Sequence, residues 1–193
     1  MREMMNMVVV LTVLTALSGG LLAAVKSGTE VQIETQVLKF QKAPAIAEIF
    51  PDASNDPLNE RFNVTQGDLT LQVFPGLLGD GSKAVAFEAK GTGFGGPVGL
   101  MVGINLDSDK IVGVRVTTHS ETPGIGARAK DDPSFVSQFA GMPMSNNFAV
   151  KGNGGVVDAM SGATVTSIGV SQAAIQAQKL YETLKPEILK QMK

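Results

Sequence analysis

Cysteine is absent from this chain of 193 residues, and histidine occurs only once, at His119. Without thiols the protein cannot form a disulfide, use a cysteine nucleophile or bind an iron–sulfur cluster through cysteines. With a single histidine it also lacks the several imidazole ligands of a typical zinc site, and we expect no metal site. Redox chemistry in this protein would therefore need an organic cofactor.

Clusters of basic residues are absent as well. The chain has 16 Lys and Arg residues against 18 Asp and Glu residues, and its formal net charge is -2. Proteins that bind nucleic acids carry a patch or stripe of positive charge, so we expect no nucleic-acid partner. The hydrophobic content of 44% is sufficient for a folded core, and the length favours one domain plus an anchor.

The N-terminus contains a long apolar run in which no residue from 4 to 25 is charged. About 20 such residues in a helix cross the hydrocarbon core of a bilayer. We therefore predict a transmembrane anchor over residues 4–25 and a single-pass membrane protein. A cleaved signal peptide is the alternative, because Ser18-Gly19-Gly20 offers small residues for cleavage. Arg2 before the run and Lys26 after it leave the orientation undecided.

Capping patterns at Ser27 and Thr29 predict a second helix after the anchor. Pro44 interrupts the apolar pattern of this helix, and residues 49–52 close it. We therefore divide the rest of the chain into a membrane-proximal helix and linker over residues 26–52 and a domain over residues 53–193.

Short strands are predicted between Arg61 and His119, where β-branched and alternating apolar residues replace the helical pattern. The clearest strands cover residues 83–89, 98–106 and 111–118, with a hairpin loop at residues 107–110. The order of helix, strands and helix, without a repeated βαβ unit, indicates an α+β fold. We expect a small antiparallel sheet with flanking helices.

The last part of the chain is predicted to be helical. Apolar residues recur there at intervals of three and four, which indicates one buried helix face: Val170, Ala174, Ala177, Tyr181 and Leu184. We predict Thr166 or Ser167 as the N-cap of this helix, and Pro186 as a kink or as the start of a further helix. Upstream, Asp132-Pro133-Ser134 favours the start of a short helix that ends at Gly141.

A loop rich in hydroxyl groups precedes the last helix and has the sequence Asp158-Ala159-Met160-Ser161-Gly162-Ala163-Thr164-Val165-Thr166-Ser167. Gly162 and Ala163 leave its backbone accessible, and the N-terminus of the following helix presents free N–H groups that suit a phosphate. By composition alone, the loop is more typical of a helix N-cap with additional serines and threonines. Both interpretations stay open at this point.

A second stretch, His119-Ser120-Glu121-Thr122-Pro123-Gly124-Ile125-Gly126, has the proline and glycines of a fixed turn. Its backbone can approach a planar ring, and Glu121 and Thr122 can hydrogen-bond the polar edge of such a ring. An ordinary turn with a surface histidine is the alternative. Gly91-Thr92-Gly93-Phe94-Gly95-Gly96 formally matches the dinucleotide fingerprint, but a strand follows it instead of a helix. We interpret it as a structural turn, with Phe94 as a candidate to shield a ring.

Both stretches resemble motifs of the RnfG and NqrC subunits of Rnf and Na⁺-translocating NADH:quinone oxidoreductase complexes. The first is similar to the family's Asp-x-x-Ser-Gly-Ala-Thr flavinylation motif, and the second to its His-x-Glu-Thr-Pro-Gly-Leu-Gly, with Ile125 in place of leucine. The resemblance covers roughly residues 83–181. It implies that a flavin transferase moves FMN from FAD onto Thr164 through a phosphoester, and that this enzyme recognises Asp158. The other implied flavin-binding residues are Ser161, Gly162, Ala163, Thr166, Ser167, Glu121, Thr122, Gly124 and Ile125, with His119 chiefly as a support for its turn.

The implied function is electron transfer through covalent FMN in a membrane-bound Rnf-type complex, which moves electrons between ferredoxin and NAD⁺ and couples this to Na⁺ or H⁺ translocation. The implied partners are other membrane subunits and a flavin transferase. The protein would lie in the cytoplasmic (inner) membrane with its FMN domain on the extracytoplasmic (periplasmic) side, and the chain alone would turn over no substrate. Three alternatives stay open. They are an NqrC-type subunit of the quinone reductase, a membrane-tethered domain that binds a phosphate ligand without redox chemistry, and a purely structural assembly subunit.

Overall fold

The computed structural model describes residues 1–67 and 69–192. The chain forms two units, Met1–Phe40 and Gln41–Lys193. Helix α1, Arg2–Val37, makes up almost all of the first unit and buries none of its side chains. An 18-residue window near the N-terminus has a mean hydropathy of 2.4. By length and composition, this helix can therefore cross a membrane.

The predicted start of a second helix near Ser27 is wrong, because α1 continues through this region to Val37. The Thr29 hydroxyl does not cap a helix; it donates to the Val25 carbonyl oxygen one turn earlier, at 2.9 Å. Such back-bonding lets threonine lie inside a helix. At 1.5 Å per residue, the 36 residues of α1 extend about 54 Å. The helix is thus longer than a hydrocarbon core of about 30 Å requires.

The second unit is built on one sheet of five strands in the order β1-β2-β3-β4-β5. The strands are β1 Phe62–Gln66, β2 Leu69–Leu77, β3 Lys83–Thr92, β4 Pro97–Asn105 and β5 Lys110–Val116. Each strand pairs antiparallel with the next one along the chain, as short loops allow. The α+β class, the antiparallel sheet and the hairpin at residues 107–110 are confirmed, and the three predicted strands differ from the observed ones only at their ends.

A π-helical turn, Leu38–Lys42, and helix α2, Ala43–Ile49, precede the sheet. Pro44 lies in the first turn of α2, where its missing N–H is not needed. Ile46 and Ile49 are buried, and α2 packs against β4 and β5. The second compact unit begins at Gln41, and the division of the chain at residue 53 stays a prediction.

Helix α5, Thr164–Gln191, packs across β3 and β4. All five residues of the predicted apolar stripe are buried, so this prediction is confirmed. The helix comes very close to β3 at Gly91, where an added Cβ atom would collide with the Gly169 carbonyl oxygen. Pro186 lies inside α5 and does not start a further helix, because α5 continues to Gln191.

Short helical segments connect β5 to α5: α3 Arg128–Asp131, α4 Pro133–Ser137 and a 3₁₀ turn Lys151–Asn153. As predicted, Asp132 starts a short helix, and its carboxylate accepts a hydrogen bond from the Ser134 N–H at 2.9 Å. This helix ends at Ser137, before the predicted Gly141. Phe139 and Phe148 from this region are buried in the core, so the connection is packed on the domain.

Candidate functional site

Three segments that are far apart in the sequence meet at the start of α5. They are the β3–β4 turn (residues 93–96), the loop at residues 119–126 and the first turn of α5. Glu121 joins them, because its Oε1 accepts a hydrogen bond from the Gly95 N–H at 2.9 Å and its Oε2 accepts one from the Thr166 hydroxyl. The two motifs and the glycine-rich turn therefore lie together in one site.

These segments can approach so closely because glycine, which has no side chain, occupies the contact positions. A Cβ atom on Gly126 would lie 2.5 Å from Glu121 Oε2 and 2.6 Å from Thr166 Oγ1, and a Cβ atom on Gly93 would collide with Glu121 Oε1. A larger residue at either position would displace the carboxylate. The Gly93 N–H donates to the Gly96 carbonyl oxygen at 2.8 Å, which confirms that this glycine-rich segment is a structural turn.

The hydroxyl groups of the loop and first turn differ in exposure. Thr166 is 2% exposed, and its hydroxyl is bonded to Glu121. Ser167 is 0% exposed, and its Oγ takes part in two hydrogen bonds to the backbone, both of 2.9 Å. Ser161 and Thr164 are exposed. Only these last two hydroxyls are accessible to another molecule.

The first turn of α5 has free backbone donors. Its N-cap residue is Ala163, and no side chain in the described part of the chain caps it. The prediction of Thr166 or Ser167 as the cap is therefore wrong, because both lie inside the helix. The first N–H groups of a helix have no partner within it and carry the positive end of its dipole. Thr164 begins this helix and stands where a phosphate would be stabilised. Gly162, with a φ of 76°, makes the turn into the helix.

Exposed apolar side chains occur on each of the three segments. Phe94 on the β3–β4 turn is 76% exposed, Ile125 in the loop is 50% exposed and Val165 in the first turn of α5 is 49% exposed. Exposed apolar side chains on segments that meet are candidates for a binding surface. Val165 was not among the predicted residues, and its only signal in the sequence was its position next to Thr164.

The loop at residues 119–126 keeps its shape through local contacts. The Thr122 carbonyl oxygen accepts a hydrogen bond from the Ile125 N–H at 3.2 Å, and Gly124 has a φ of 72°. His119 Nδ1 accepts a hydrogen bond from the Glu121 N–H at 3.2 Å. The histidine therefore supports the turn. The Thr122 side chain is exposed.

Arg128 links this loop to the loop before α5. Its guanidinium donates to the Ile125 carbonyl oxygen at 3.1 Å and to the Ser161 carbonyl oxygen. A guanidinium stays charged at any ordinary pH, so Arg128 provides a fixed positive charge next to the exposed hydroxyls. No motif singled out this residue, because its partners are backbone atoms that only the fold brings together.

Asp158 is exposed at the start of the hydroxyl-rich loop, and its carboxylate pairs with Lys151 at 2.7 Å. Gln138 holds its backbone, because Oε1 accepts from the Asp158 N–H at 2.7 Å and Nε2 donates to the Asp158 carbonyl oxygen at 3.3 Å. Exposed ion pairs are weak, so the carboxylate can leave Lys151 for a partner. Its position, in contrast, is fixed through the backbone.

A polar depression of about 310 Å³ opens beside this loop. Asp132, Asp158 and Arg128 border it. Hydrogen bonds from the Ser134 side chain and N–H hold the pKa of Asp132 below its usual range, so this carboxylate is ionised at neutral pH. The rim thus carries acidic groups beside one fixed positive charge.

These features fit an FMN molecule. A phosphate needs N–H donors and positive charge, which the first turn of α5 and Arg128 offer. A planar ring needs apolar surface, which the exposed side chains of the three segments offer. The role predicted for Glu121 changes, because both of its oxygens are engaged by the protein. Its carboxylate is therefore better placed to hold the segments together than to hydrogen-bond the ring.

Comparisons with known proteins agree with this fit. Residues 93–179 match the family described as FMN-binding domain. The RnfG subunit of the ion-translocating oxidoreductase complex of Methanosarcina acetivorans is 33% identical over 89% of this chain and 91% of its own length. The chain belongs to the RnfG family. A second RnfG subunit, from Cronobacter sakazakii, is 31% identical over 93% of this chain and 91% of its own length.

The matched residues 93–179 include all three segments of the site in this member of the RnfG family, while α1 and the first strands lie outside the match. A crystal structure of NqrC from Shewanella oneidensis is 28% identical, with a TM-score of 0.48, and covers 70% of this chain and 73% of that chain.

Proposed function

We propose that this member of the RnfG family is the FMN-carrying electron-transfer subunit of a membrane-bound, ion-translocating Rnf-type complex. We further propose that FMN is attached through its phosphate to the Thr164 hydroxyl. The relatives support the coarse function, and the matched FMN-binding domain supports the cofactor. One observation supports the position: among the hydroxyls of the loop and first turn, Thr164 alone is both exposed and located on the first residue of α5.

Attachment is a phosphoryl transfer from FAD in this proposal. The Thr164 oxygen attacks the phosphorus on the FMN side of the FAD pyrophosphate. A new P–O bond to threonine forms, the bond to the AMP phosphate breaks, AMP leaves, and the hydroxyl proton passes to a base of the transferase. The N–H groups of α5 and the Arg128 guanidinium would hold the negative charge of the phosphate. The exposed Asp158 carboxylate, with its backbone held by Gln138, would be recognised by the transferase.

The protein's part in electron transfer is to hold and shield the cofactor. When bound, the flavin supplies reversible uptake and release of electrons. Phe94, Ile125 and Val165 would cover apolar faces of the ring and keep water away from it. The covalent bond would retain FMN on the extracytoplasmic side, where a lost cofactor is not easily replaced. Helix α1 would anchor the domain beside other membrane subunits, and the coupling ion would be Na⁺ or H⁺.

The names of these two relatives, both RnfG subunits, favour the Rnf-type assignment over an NqrC-type subunit. A phosphate-binding domain without redox chemistry would use the same helix terminus. The two functions differ in what they predict for the purified protein. A flavoprotein is yellow and fluorescent with an increased mass, whereas a simple phosphate-binding domain is colourless and has the mass of its sequence.

The attachment is tested by co-expressing the full chain with a flavin transferase and measuring intact mass and in-gel flavin fluorescence. The original chain should gain the mass of one FMN less one water. Thr164→Val keeps the shape of the side chain but lacks the hydroxyl, and should carry no flavin. Thr164→Ser should keep it, and Ser161→Ala is the matched control that should also keep it. Flavin on the Thr164→Val variant, or a peptide map that places it elsewhere, would refute the assignment.

The side of the membrane on which the domain lies can be tested with one introduced cysteine, because the chain has no native cysteine. Ser145→Cys places a single thiol on an exposed residue of the domain. A membrane-impermeant maleimide should label this thiol in intact spheroplasts if the domain is extracytoplasmic. Labelling that appears only after lysis would place the domain in the cytoplasm.

A further inference from the structure

The Glu121 carboxylate is buried at the point where the three segments of the site meet. The residue is 7% exposed. Its two oxygens are used in different directions: Oε1 accepts from the Gly95 N–H at 2.9 Å, and Oε2 accepts from the Thr166 hydroxyl. These partners lie 26 residues before it and 45 residues after it in the chain. One side chain thus connects a β-turn, a loop and a helix.

The surroundings of Glu121 leave room for this carboxylate and for little else. Gly93 and Gly126 are adjacent to its oxygens, and a Cβ atom on either would meet them. The Glu121 backbone is held as well, because its N–H donates to His119 Nδ1. A buried carboxylate that has lost its water must be hydrogen-bonded, and here the protein provides the partners. The side chain therefore has one well-defined position.

Each segment that Glu121 joins carries one exposed apolar side chain. Phe94 lies one residue before Gly95, Val165 lies one residue before Thr166, and Ile125 lies in the same loop as Glu121. The distances between these apolar side chains therefore depend on the two hydrogen bonds of the carboxylate. Thr164, two residues before Thr166 along α5, is fixed by the same contact.

We propose that Glu121 is a positioning residue for the flavin site. It clamps the β3–β4 turn and the first turn of α5 to its own loop, and so sets the apolar surroundings of a flavin ring attached at Thr164. It acts through Gly95 and Thr166 without touching the ring. This inference rests on the proposed function for its effect on the flavin, but the clamp itself is a property of the chain without cofactor.

The clamp is tested first in the full chain expressed without a transferase, by amide hydrogen exchange in detergent. Glu121→Ala should speed exchange in residues 93–98 and in the first turn of α5 by about tenfold each, as the loss of one hydrogen bond to each segment predicts. Glu121→Gln should stay near the original rate, because its amide can accept from the Gly95 N–H and donate to Thr166 Oγ1. Thr166→Val replaces the hydroxyl with a methyl group that cannot donate to Glu121, and should loosen the first turn of α5.

Glu88→Ala is the matched control for the loss of a carboxylate. Glu88 is also largely buried and bonds Thr117 and Lys42, outside the three segments. The Glu88→Ala substitution should leave amide exchange in residues 93–98 unchanged. If Glu121→Ala fails to fold, as judged by the fluorescence of Tyr181, then Thr166→Val carries the test. If the first turn of α5 in Thr166→Val exchanges as slowly as in the unsubstituted chain, the proposed clamp is refuted.

The effect on the flavin is tested in the flavinylated full chain by visible circular dichroism and by the midpoint potential. Glu121→Ala and Thr166→Val should weaken the flavin dichroism and shift the potential in the same direction, and the double variant should do little more than either single one. Glu121→Gln should restore both signals. If the single variants lower only thermal stability and leave both signals unchanged, the positioning role is refuted. If no flavin attaches to Thr164 in the original chain, the proposed function fails, while the exchange measurements still decide the clamp.

Discussion

Replacing Gly91 by alanine should destabilise the domain and displace the first half of α5. A Cβ atom at this position would collide with the Gly169 carbonyl oxygen and lie 2.9 Å from the Ala173 nitrogen. Both are backbone atoms of α5, so no change of rotamer relieves the contact. Overpacking costs about 1–3 kcal/mol in most cases, and a clash between a strand and a helix backbone belongs at the upper end. We therefore expect the free energy of unfolding to fall by about 3 kcal/mol.

Tyr181 provides the assay for this prediction. It is the only tyrosine in a chain without tryptophan, and it is buried within α5. Its fluorescence during urea unfolding of the flavin-free full chain in detergent reports on the domain and is insensitive to α1. Gly113→Ala is the matched control, because the nearest atom to an added Cβ there is Ile49 Cγ1 at 3.8 Å, an ordinary contact. The control should change stability by less than about 1 kcal/mol. If Gly91→Ala and Gly113→Ala unfold at the same urea concentration, the predicted clash between residue 91 and the backbone of α5 does not destabilise the domain, and the reasoning is refuted.

Tyr181→Phe removes the hydroxyl that donates to Asp109 at 2.6 Å, and should lower the free energy of unfolding in urea by about 1 kcal/mol, measured by far-ultraviolet circular dichroism because this variant has no tyrosine. Burial opposes the ionisation of Asp109, but hydrogen bonds from its neighbours lower its pKa overall. The ionised Asp109 carboxylate should therefore contribute to the free energy of unfolding above its unfolded pKa of about 3.9, and this contribution should be lost as the pH falls through the lower folded pKa. If Tyr181→Phe costs the same free energy of unfolding in strong acid as at neutral pH, this reasoning is contradicted. Phe139→Ala empties a fully buried position and should cost about 3–5 kcal/mol in the same assay, whereas a cost below about 1 kcal/mol would show that the core collapses into the space. Gln138→Leu frees the backbone of Asp158 and should slow flavinylation in a timed co-expression while the domain stays folded; an unchanged rate would show that this contact is not needed for recognition.

The strands and the final helix could be predicted because their patterns are local. The β-branched run before His119 and the apolar stripe that ends at Leu184 each follow the period of the element that they form. The N-cap of α5 could not be predicted in this way. Thr166 and Ser167 have the residue types of a cap, but their hydroxyls are used by Glu121 and by the backbone. The helix therefore begins before them, at Thr164.

The predicted helix break near Ser27 fails for a related reason. Small polar residues indicate a cap, but Thr29 instead donates to its own helix, and the helix continues. In the sequence, Ile46 and Ile49 look like part of a membrane-proximal helix. They are buried because the sheet, formed by residues later in the chain, packs on them. A local pattern contains no information about that contact.

The two glycines of the loop at residues 119–126 show what a motif leaves undecided, and they give a last prediction. The motif contains both, and in the sequence both indicate a turn. Gly124 has a φ of 72° and open space around it, whereas Gly126 needs its missing side chain to leave room for Glu121 Oε2 and Thr166 Oγ1. Gly126→Ala should therefore mimic Glu121→Ala and speed amide exchange in the β3–β4 turn and the first turn of α5. Gly124→Ala should strain only its own loop and leave those two segments protected. If the two alanine variants loosen the same segments to the same extent, Gly126 serves backbone conformation and not space, and the tight fit around Glu121 is not what holds the site together.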